Sequence, residues 1–376
     1  MKVLILSASE SIHTKRWCEA LIKSGVQVVL FSLSSSISYF YQNAGIKVYS
    51  PNINSLRWYS KIRYLSSLKL LRNIISIEKP DIVHAHYCSS YGLLGALSRF
   101  HPLIVSVWGS DVYDFPKQSC FFEKIIRYVL SKADKILSTS HIMAKETSKY
   151  TNKPIDITPF GVNIDLFRKI DILLPDKNTF VVGNVKTLAP KYGIDILIKA
   201  FKVVLLKNPD KDMVLKIVGD GPCRKEYEQL AADLGINDKV YFIGKVSNEK
   251  LPEYYNSFSV SVSVSVSNSE SFGVVAVEAM ACECPVITSD ADGFTEVVED
   301  RVTGIIVPKQ DVDATASAIQ EFINNPDLRE KMGKAGRERV KRLYDWNDNV
   351  MTMVNIYNNT EKNDDKKNDI PHADEN

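Results

Sequence analysis

The stretch SVSVSVSVSNSESFGVVAVEAMACECPVITSD, residues 259–290, decides the fold. Residues 259–265 alternate serine and valine with a strict period of two, the spacing of a strand with valines on one face and serines on the other. Ser271, Phe272 and Gly273 turn the chain, and a helix reads from Gly273 to about Cys282. Pro285 then opens a second strand, 285–288. Strand, helix and strand in this order make one unit of a parallel sheet.

The same alternation extends in both directions. Strands read at 180–184, 214–218, 240–243 and 304–307, with helical segments between them. An earlier series has strands at 3–6, 26–31, 46–49, 82–84, 103–107 and 135–138, with a first helix at 15–23 that Gly25 stops. Short apolar strands alternating with helices predict an α/β fold with parallel sheets covered on both faces. The 376 residues fit two domains at about 100–200 residues each. The expected division is two doubly wound, Rossmann-like domains at 1–165 and 172–340. Between them lies an aperiodic crossing at 161–176 that contains Gly161 and Pro175. A closing helix is expected at 341–358, and a disordered tail at 359–376, where half the residues are charged. Such domains bind ligands at the carboxyl ends of their strands, in the cleft between them.

Charge excludes one function class. Lys and Arg number 47 against 45 Asp and Glu, so the chain is not a bulk nucleic-acid binder. The balance is uneven, with 20 basic against 11 acidic residues in 1–165 and 27 against 34 in the remainder. Six cysteines, Cys18, Cys88, Cys120, Cys223, Cys282 and Cys284, form no C-x-x-C pair and read as ordinary thiols of a reducing compartment. The apolar run 3–6 is too short for a signal-peptide core, and no stretch approaches the ~20 apolar residues of a membrane-spanning helix. The expected location is cytoplasmic, or peripheral on the inner face of a membrane.

The segment 268–290 also carries chemistry. The free N–H groups where the helix starts at Gly273 suit a phosphate. Glu278, eight residues after Glu270 and two turns into the helix, can accept hydrogen bonds from neighbouring hydroxyls such as a ribose diol.

These residues give a resemblance. The chain is similar to the retaining glycosyltransferases of family 4, enzymes of the GT-B fold. Their E-x7-E motif within "EGFG…EAMACGxPV" is in register with Glu270, Phe272–Gly273, Glu278, Ala279–Met280 and Pro285–Val286. The resemblance implies that Glu270 lies by the donor sugar and Glu278 holds the ribose, while the Ser271, Phe272 and Gly273 turn caps the donor phosphate. Residues 182–201 resemble the family's "GR…KG", with Lys186 in place of the usual Arg and Lys191 at its Lys. Both cations are expected on the diphosphate. Gly219 and Gly221 resemble its "GxGP" turn, and Val246 follows a strand whose backbone meets the base. Residues 158–167 resemble the interdomain "NGVDxxxF", and Gly293, Glu296 and Gly304 match "GGxxEvvxdgxtGxlv".

The first half departs from the family. No glycine pair follows the first strand. His13, Lys15 and Arg16 crowd that loop instead, as in a subgroup reading "SiHtkRW", and His13 reads equally as a surface histidine. Trp108 stands where the family commonly has a histidine that contacts the donor sugar. His84 and His86 share one face of a strand end without a third ligand, so they read as cleft or core residues and not as a metal pair. Asp111 is a candidate for hydroxyl recognition or a helix cap. Residues 56–77 carry five basic residues and no acidic ones except beyond their end. Arg57, Lys61, Lys69 and Arg72 share a sector with Trp58, Leu65 and Leu68, which suits an anionic membrane surface or a sheet-covering helix with outward cations.

The reading is therefore a metal-independent, retaining glycosyltransferase without a cofactor. Its second domain would bind a UDP-, GDP- or related nucleotide sugar. Its first would bind a saccharide or lipid-linked saccharide of surface polysaccharide or lipopolysaccharide assembly. Two alternatives stand. One is another nucleotide-sugar enzyme of the same fold, such as a 2-epimerase. The other is a degenerate scaffold subunit, favoured by the missing glycine loop, Trp108, Lys186 and Glu283 in place of the usual glycine after Cys282. A dehydrogenase is disfavoured, because no G-x-G-x-x-G follows a strand.

Overall fold

The computed structural model describes residues 1–34, 38–51, 64–171, 178–267 and 270–368, with side chains to Thr360. The chain divides into two units, Met1–Pro159 with Asn347–Asn376, and Phe160–Trp346.

The first unit holds seven strands: β1 Lys2–Leu6, β2 Gln27–Phe31, β3 Lys47–Tyr49, β4 Ile82–His86, β5 Leu103–Val107, β6 Lys135–Ser138 and β7 Ile155–Ile157. All pair in parallel in the order β3-β2-β1-β4-β5-β6-β7. β1 hydrogen-bonds to both β2 and β4, so the strand order reverses there and a crevice opens beyond the carboxyl ends of β1 and β4. Val3 to Leu6, Val83, Ala85 and Val105 are fully buried, because helices cover both faces.

The second unit holds β8 Phe180–Val185, β9 Met213–Val218, β10 Val240–Gly244, β11 Val260–Ser263, β12 Val286–Ser289 and β13 Gly304–Val307, in the order β10-β9-β8-β11-β12-β13. Its reversal lies between β8 and β11. The loops that leave these two strands begin at Lys186 and Val264. The alternating run is the central β11, and both of its faces are buried. Val260 and Val262 enter the main core with Leu197 and Phe201. The serine face is not exposed either: Ser261 and Ser263 lie under helix Val274–Ala281.

Two expected boundaries move. Residues 160–167 belong to the second unit, and the division falls after Pro159. The Arg337 guanidinium holds this segment through the carbonyls of Phe167 at 2.5 Å and Ile164 at 3.0 Å, and Val162 pairs with the chain at Tyr344 and Trp346. The last helix starts at Trp346 and runs to Asn368, past the expected disordered start at 359. Buried Val350, Met353 and Tyr357 fix its first turns, and each further residue then adds a backbone bond without a new nucleation cost. This helix belongs to the first unit. Among the described residues, no helix is long and apolar enough to cross a membrane. Arg57, Trp58, Lys61 and Arg63 lie outside the described residues. Within helix Leu68–Glu78, Lys69 and Arg72 are exposed while Leu71 and Ile74 are buried.

Candidate active site

The reversal point of the second sheet gathers the charged residues singled out by sequence. Lys186 leaves β8, and its ammonium lies 2.5 Å from Glu270 Oε2 in the loop after β11, both side chains about one-tenth exposed. Ser265 donates to the same carboxylate oxygen at 3.2 Å. Both cations approach the Tyr192 ring, with Lys186 Nζ at 4.7 Å and Lys191 Nζ at 4.9 Å from its centroid. Two positive charges near one carboxylate leave the cluster with an excess positive charge, which suits a dianion.

The backbone around this cluster is laced together. Gly219 donates to the Gly244 carbonyl at 2.9 Å, Leu188 to Asp220 at 3.1 Å, and Cys223 to Leu188 at 3.0 Å. Gly219 has φ +137, and a Cβ there would stand 2.0 Å from the Lys186 carbonyl oxygen, so only glycine fits. Gly221 packs against Leu188 in the same turn. These two glycines shape the loop that carries Lys186 and Lys191. Val246 is half-buried in the loop after β10.

Gly273, at φ +76, turns the chain into helix Val274–Ala281. Phe272 is buried, edge-on to Tyr344 at 5.4 Å and to Phe160 at 6.2 Å. Its side chain anchors the turn, while Ser271 beside it stays half-exposed. Glu278 is 5% exposed and accepts from the Tyr255 hydroxyl at 2.9 Å. Burial and the neighbouring carboxylate push that hydroxyl well above its ordinary pKa, so it stays protonated and donating. Sequence reasoning missed Tyr255, because nothing in its segment distinguishes it from a packing aromatic.

The chain holds three Asp-x-Asp triplets, at 210–212, 290–292 and 311–313, a spacing that can serve a divalent metal. Here Asp212 bonds Thr179 and Lys239, Asp290 pairs with Lys309 at 3.0 Å, and Asp311 caps a helix through the Ala314 amide. Among the described residues, no three His, Cys, Asp or Glu side chains group as metal ligands.

In the first unit, the histidines of β4 are buried. His84 hydrogen-bonds Tyr357 at 2.6 Å and Ser106 at 2.8 Å, and its ring stands edge-on to His86 at 4.5 Å. Burial lowers His84 to about 3, lowers His86 well below its ordinary value, and lowers His13 to about 4 with help from Arg16. All three are neutral at pH 7. The hydroxyl-recognition role expected of Asp111 is corrected. Its carboxylate is 1% exposed and accepts from the backbone N–H groups of Cys88 at 2.8 Å, Trp108 at 3.1 Å and Gly109 at 2.8 Å. It ties two loops together. Burial raises its pKa against the pull of those bonds.

The sequence pattern described as "Glycosyl transferases group 1" matches residues 167–339, and "Glycosyl transferase 4-like" matches residues 2–140. A D-inositol 3-phosphate glycosyltransferase of Kribbella flavida is 30% identical over 74% of this chain and 70% of its own. The chain is a group 1 glycosyltransferase. A capsular polysaccharide biosynthesis glycosyltransferase of Staphylococcus aureus, CapM, is 28% identical to this glycosyltransferase over 75% of its chain and 78% of the relative. The Anabaena protein HepE, solved with UDP and glucose, has the same fold, with a TM-score of 0.78, 18% identity and coverage of 96% and 100%. The two parallel-sheet units are those of GT-B glycosyltransferases.

Proposed function

We propose that this glycosyltransferase moves a sugar from a UDP-, GDP- or related nucleotide-sugar donor to a hydroxyl of a saccharide or lipid-linked saccharide in surface polysaccharide assembly. The transfer retains the anomeric configuration and uses no metal. The observation that carries the reading is the Lys186–Glu270 pair, 2.5 Å apart, at the reversal point of the second sheet, with Lys191 Nζ against the same Tyr192 ring as Lys186. Sugar transfer expels a nucleoside diphosphate, and fixed ammoniums beside a helix start stabilise the charge that develops on it. Glu270 orients Lys186 and supplies negative charge where positive charge grows on the anomeric carbon. Glu278, braced by Tyr255, is the partner for the ribose diol. Retention follows from the family resemblance, with the acceptor hydroxyl attacking on the face that the diphosphate leaves. The name of the capsular polysaccharide biosynthesis relative supports a saccharide acceptor. Exposed Lys69 and Arg72 support peripheral association with an anionic membrane.

The test is incubation with UDP-glucose, UDP-galactose, UDP-N-acetylglucosamine and GDP-mannose in the presence of methyl glycosides as acceptors, with and without EDTA, followed by nucleoside diphosphate release and proton NMR of the anomeric linkage in the glycoside formed. One donor should be turned over with retention, equally in EDTA. An inverted product refutes retention, and loss on chelation restored by magnesium or manganese refutes metal independence. No release from any donor favours the scaffold subunit.

A further inference from the structure

The two lysines of the candidate site leave different points of the chain and meet at one ring. Lys186 follows β8, and Lys191 belongs to the short turn Pro190–Tyr192. Both ammoniums lie over the half-buried Tyr192 ring, Lys186 Nζ at 4.7 Å and Lys191 Nζ at 4.9 Å from its centroid. Lys186 has further support from Glu270 at 2.5 Å and from the buried Phe294 ring at 5.8 Å. Lys191 is exposed and has no such carboxylate among the described ion pairs. The turn that carries the ring is itself held. The Tyr192 amide donates to the Ala189 carbonyl at 3.1 Å, and the Val266 amide donates to the Lys191 carbonyl at 3.0 Å. Gly193 comes next, at φ +65, and a Cβ there would stand 2.1 Å from the Val264 carbonyl oxygen, so the turn is pressed against the chain leaving β11.

A tyrosine beside a lysine often touches it, and that contact alone means little. A second ammonium on the same ring, from a residue outside the turn, is different. Two like charges brought to one place repel each other. The negative face of an aromatic ring attracts each of them and so offsets the repulsion. A second carboxylate would do the same, but it would cancel the charge that a diphosphate needs. The ring is neutral, so it gathers the cations and leaves their charge for the ligand. It also restrains the exposed Lys191 side chain beforehand, which lowers the ordering cost when the ligand arrives.

We propose that Tyr192 is a positioning residue for the leaving diphosphate. Its ring face gathers the Lys186 and Lys191 ammoniums, and it acts through them without touching the substrate. The proposal rests on the donor-site reading above.

The experiment compares wild type with Tyr192→Leu, with Tyr192→Phe, and with Tyr192→Phe carrying one, two or three fluorines on the ring. The Kd of UDP and of GDP is measured on folded protein, with uridine and guanosine as controls, and the base that binds wild type is followed. Tyr192→Leu should weaken the nucleoside diphosphate about tenfold, the effect of losing two cation–ring contacts, and should leave the matching nucleoside unchanged. Tyr192→Phe should stay within a few fold. Each fluorine withdraws charge from the ring face with little change of shape, so the diphosphate Kd should climb step by step along the series at an unchanged melting temperature. In a Lys191→Ala background, Tyr192→Leu should cost less than it does in wild type, because part of what it acts through is gone. A flat fluorine series overturns the proposal, since a ring that only props the turn does not sense the charge on its own face. So does a full loss in Tyr192→Phe, or an undiminished loss in the Lys191→Ala background, because either puts Tyr192 directly on the ligand. The fluorine series keeps the bulk of the side chain, so it decides the matter even if Tyr192→Leu fails to fold. A wild type that binds neither UDP nor GDP removes the donor-site reading and this role together, whereas a flat series in a wild type that binds removes the role of Tyr192 alone.

Discussion

Lys186 stands where an arginine was expected on a diphosphate, and in the structure its ammonium pairs with Glu270 at 2.5 Å. A lysine offers one compact charge where arginine offers a planar fork, so it can bridge the carboxylate and a single phosphate oxygen but not clamp two. Lys191 carries no such partner among the described ion pairs, so it should bear more of the diphosphate charge. Lys191→Ala is therefore expected to lose about ten- to a hundredfold in kcat/KM, the effect of a charge-assisted contact of about 1.5–3 kcal/mol, with an unchanged melting temperature. A folded variant with near-normal turnover would contradict the assignment. Glu278 behaves differently. Replacing it with alanine strands the fully buried Tyr255 hydroxyl, so Glu278→Ala should also lose about 1–3 kcal/mol of stability, whereas Glu278→Gln keeps an acceptor and should lose activity alone. Melting curves of the two variants, read beside their turnover, separate these effects. The buried histidines set an acid limit. Their folded pKa values lie below the ordinary 6.5, at about 3 for His84 and about 4 for His13, so the unfolded chain binds more protons below pH 6.5. Stability is full above 6.5 and falls as pH drops, at about 1.4 kcal/mol per pH unit for a group such as His84. Melting temperature should fall between pH 6.5 and 5, before carboxylates titrate; a flat profile there would contradict the burial of neutral imidazoles.

The elements show what the sequence carried and what it hid. Strands such as β5 and β13 were legible residue for residue, because a buried parallel strand must be a short apolar run between turn residues. β7, Ile155–Ile157, was missed, since three residues beside Pro154 carry no period. The serine face of β11 was legible as alternation but not as burial, because small polar residues look alike beneath a helix and in water. In the site, Glu270, Lys186, Lys191 and the glycine turns were legible as motif spacing. Tyr255 and the Asp111 brace were not, because each acts through a contact distant in sequence. One departure from the family pattern has a local cost. Glu283, which ends helix Val274–Ala281 where the family has glycine, sits at φ +58. The left-handed conformation costs an ordinary residue about 1–2 kcal/mol, part of which glycine returns as unfolded-state entropy. Glu283→Gly should gain about 0.5–1 kcal/mol and raise the melting temperature by about 2 °C. A lower melting temperature would mean that the Glu283 side chain makes a contact worth more than the strain.

At the scale of the molecule, charge separates along the chain as chemistry does. Residues 1–165 carry 20 basic against 11 acidic residues, and the remainder carries 27 against 34. The first stretch should therefore bind anionic membranes weakly, since each Lys or Arg at such a surface contributes about 1 kcal/mol and salt screens the attraction beyond about 8 Å. Flotation with anionic liposomes should carry wild type at low salt, less at high salt, and the variant with Lys61, Arg63, Lys69 and Arg72 changed to Glu least of all. Equal flotation with neutral lipid would remove the membrane role and make a soluble acceptor the better substrate. The central claim, that the reversal point of the second sheet binds the diphosphate of a nucleotide sugar, has a more direct test. Thermal shift is measured with UDP, GDP and their common sugars, on wild type and on Lys191→Ala. A bound nucleotide at a hundredfold excess over its Kd stabilises the fold by about 2.7 kcal/mol. One base family should raise the melting temperature of wild type, and Lys191→Ala should lose most of that shift at the same concentration. Equal shifts in both proteins, or none in wild type with any nucleotide, would contradict the account.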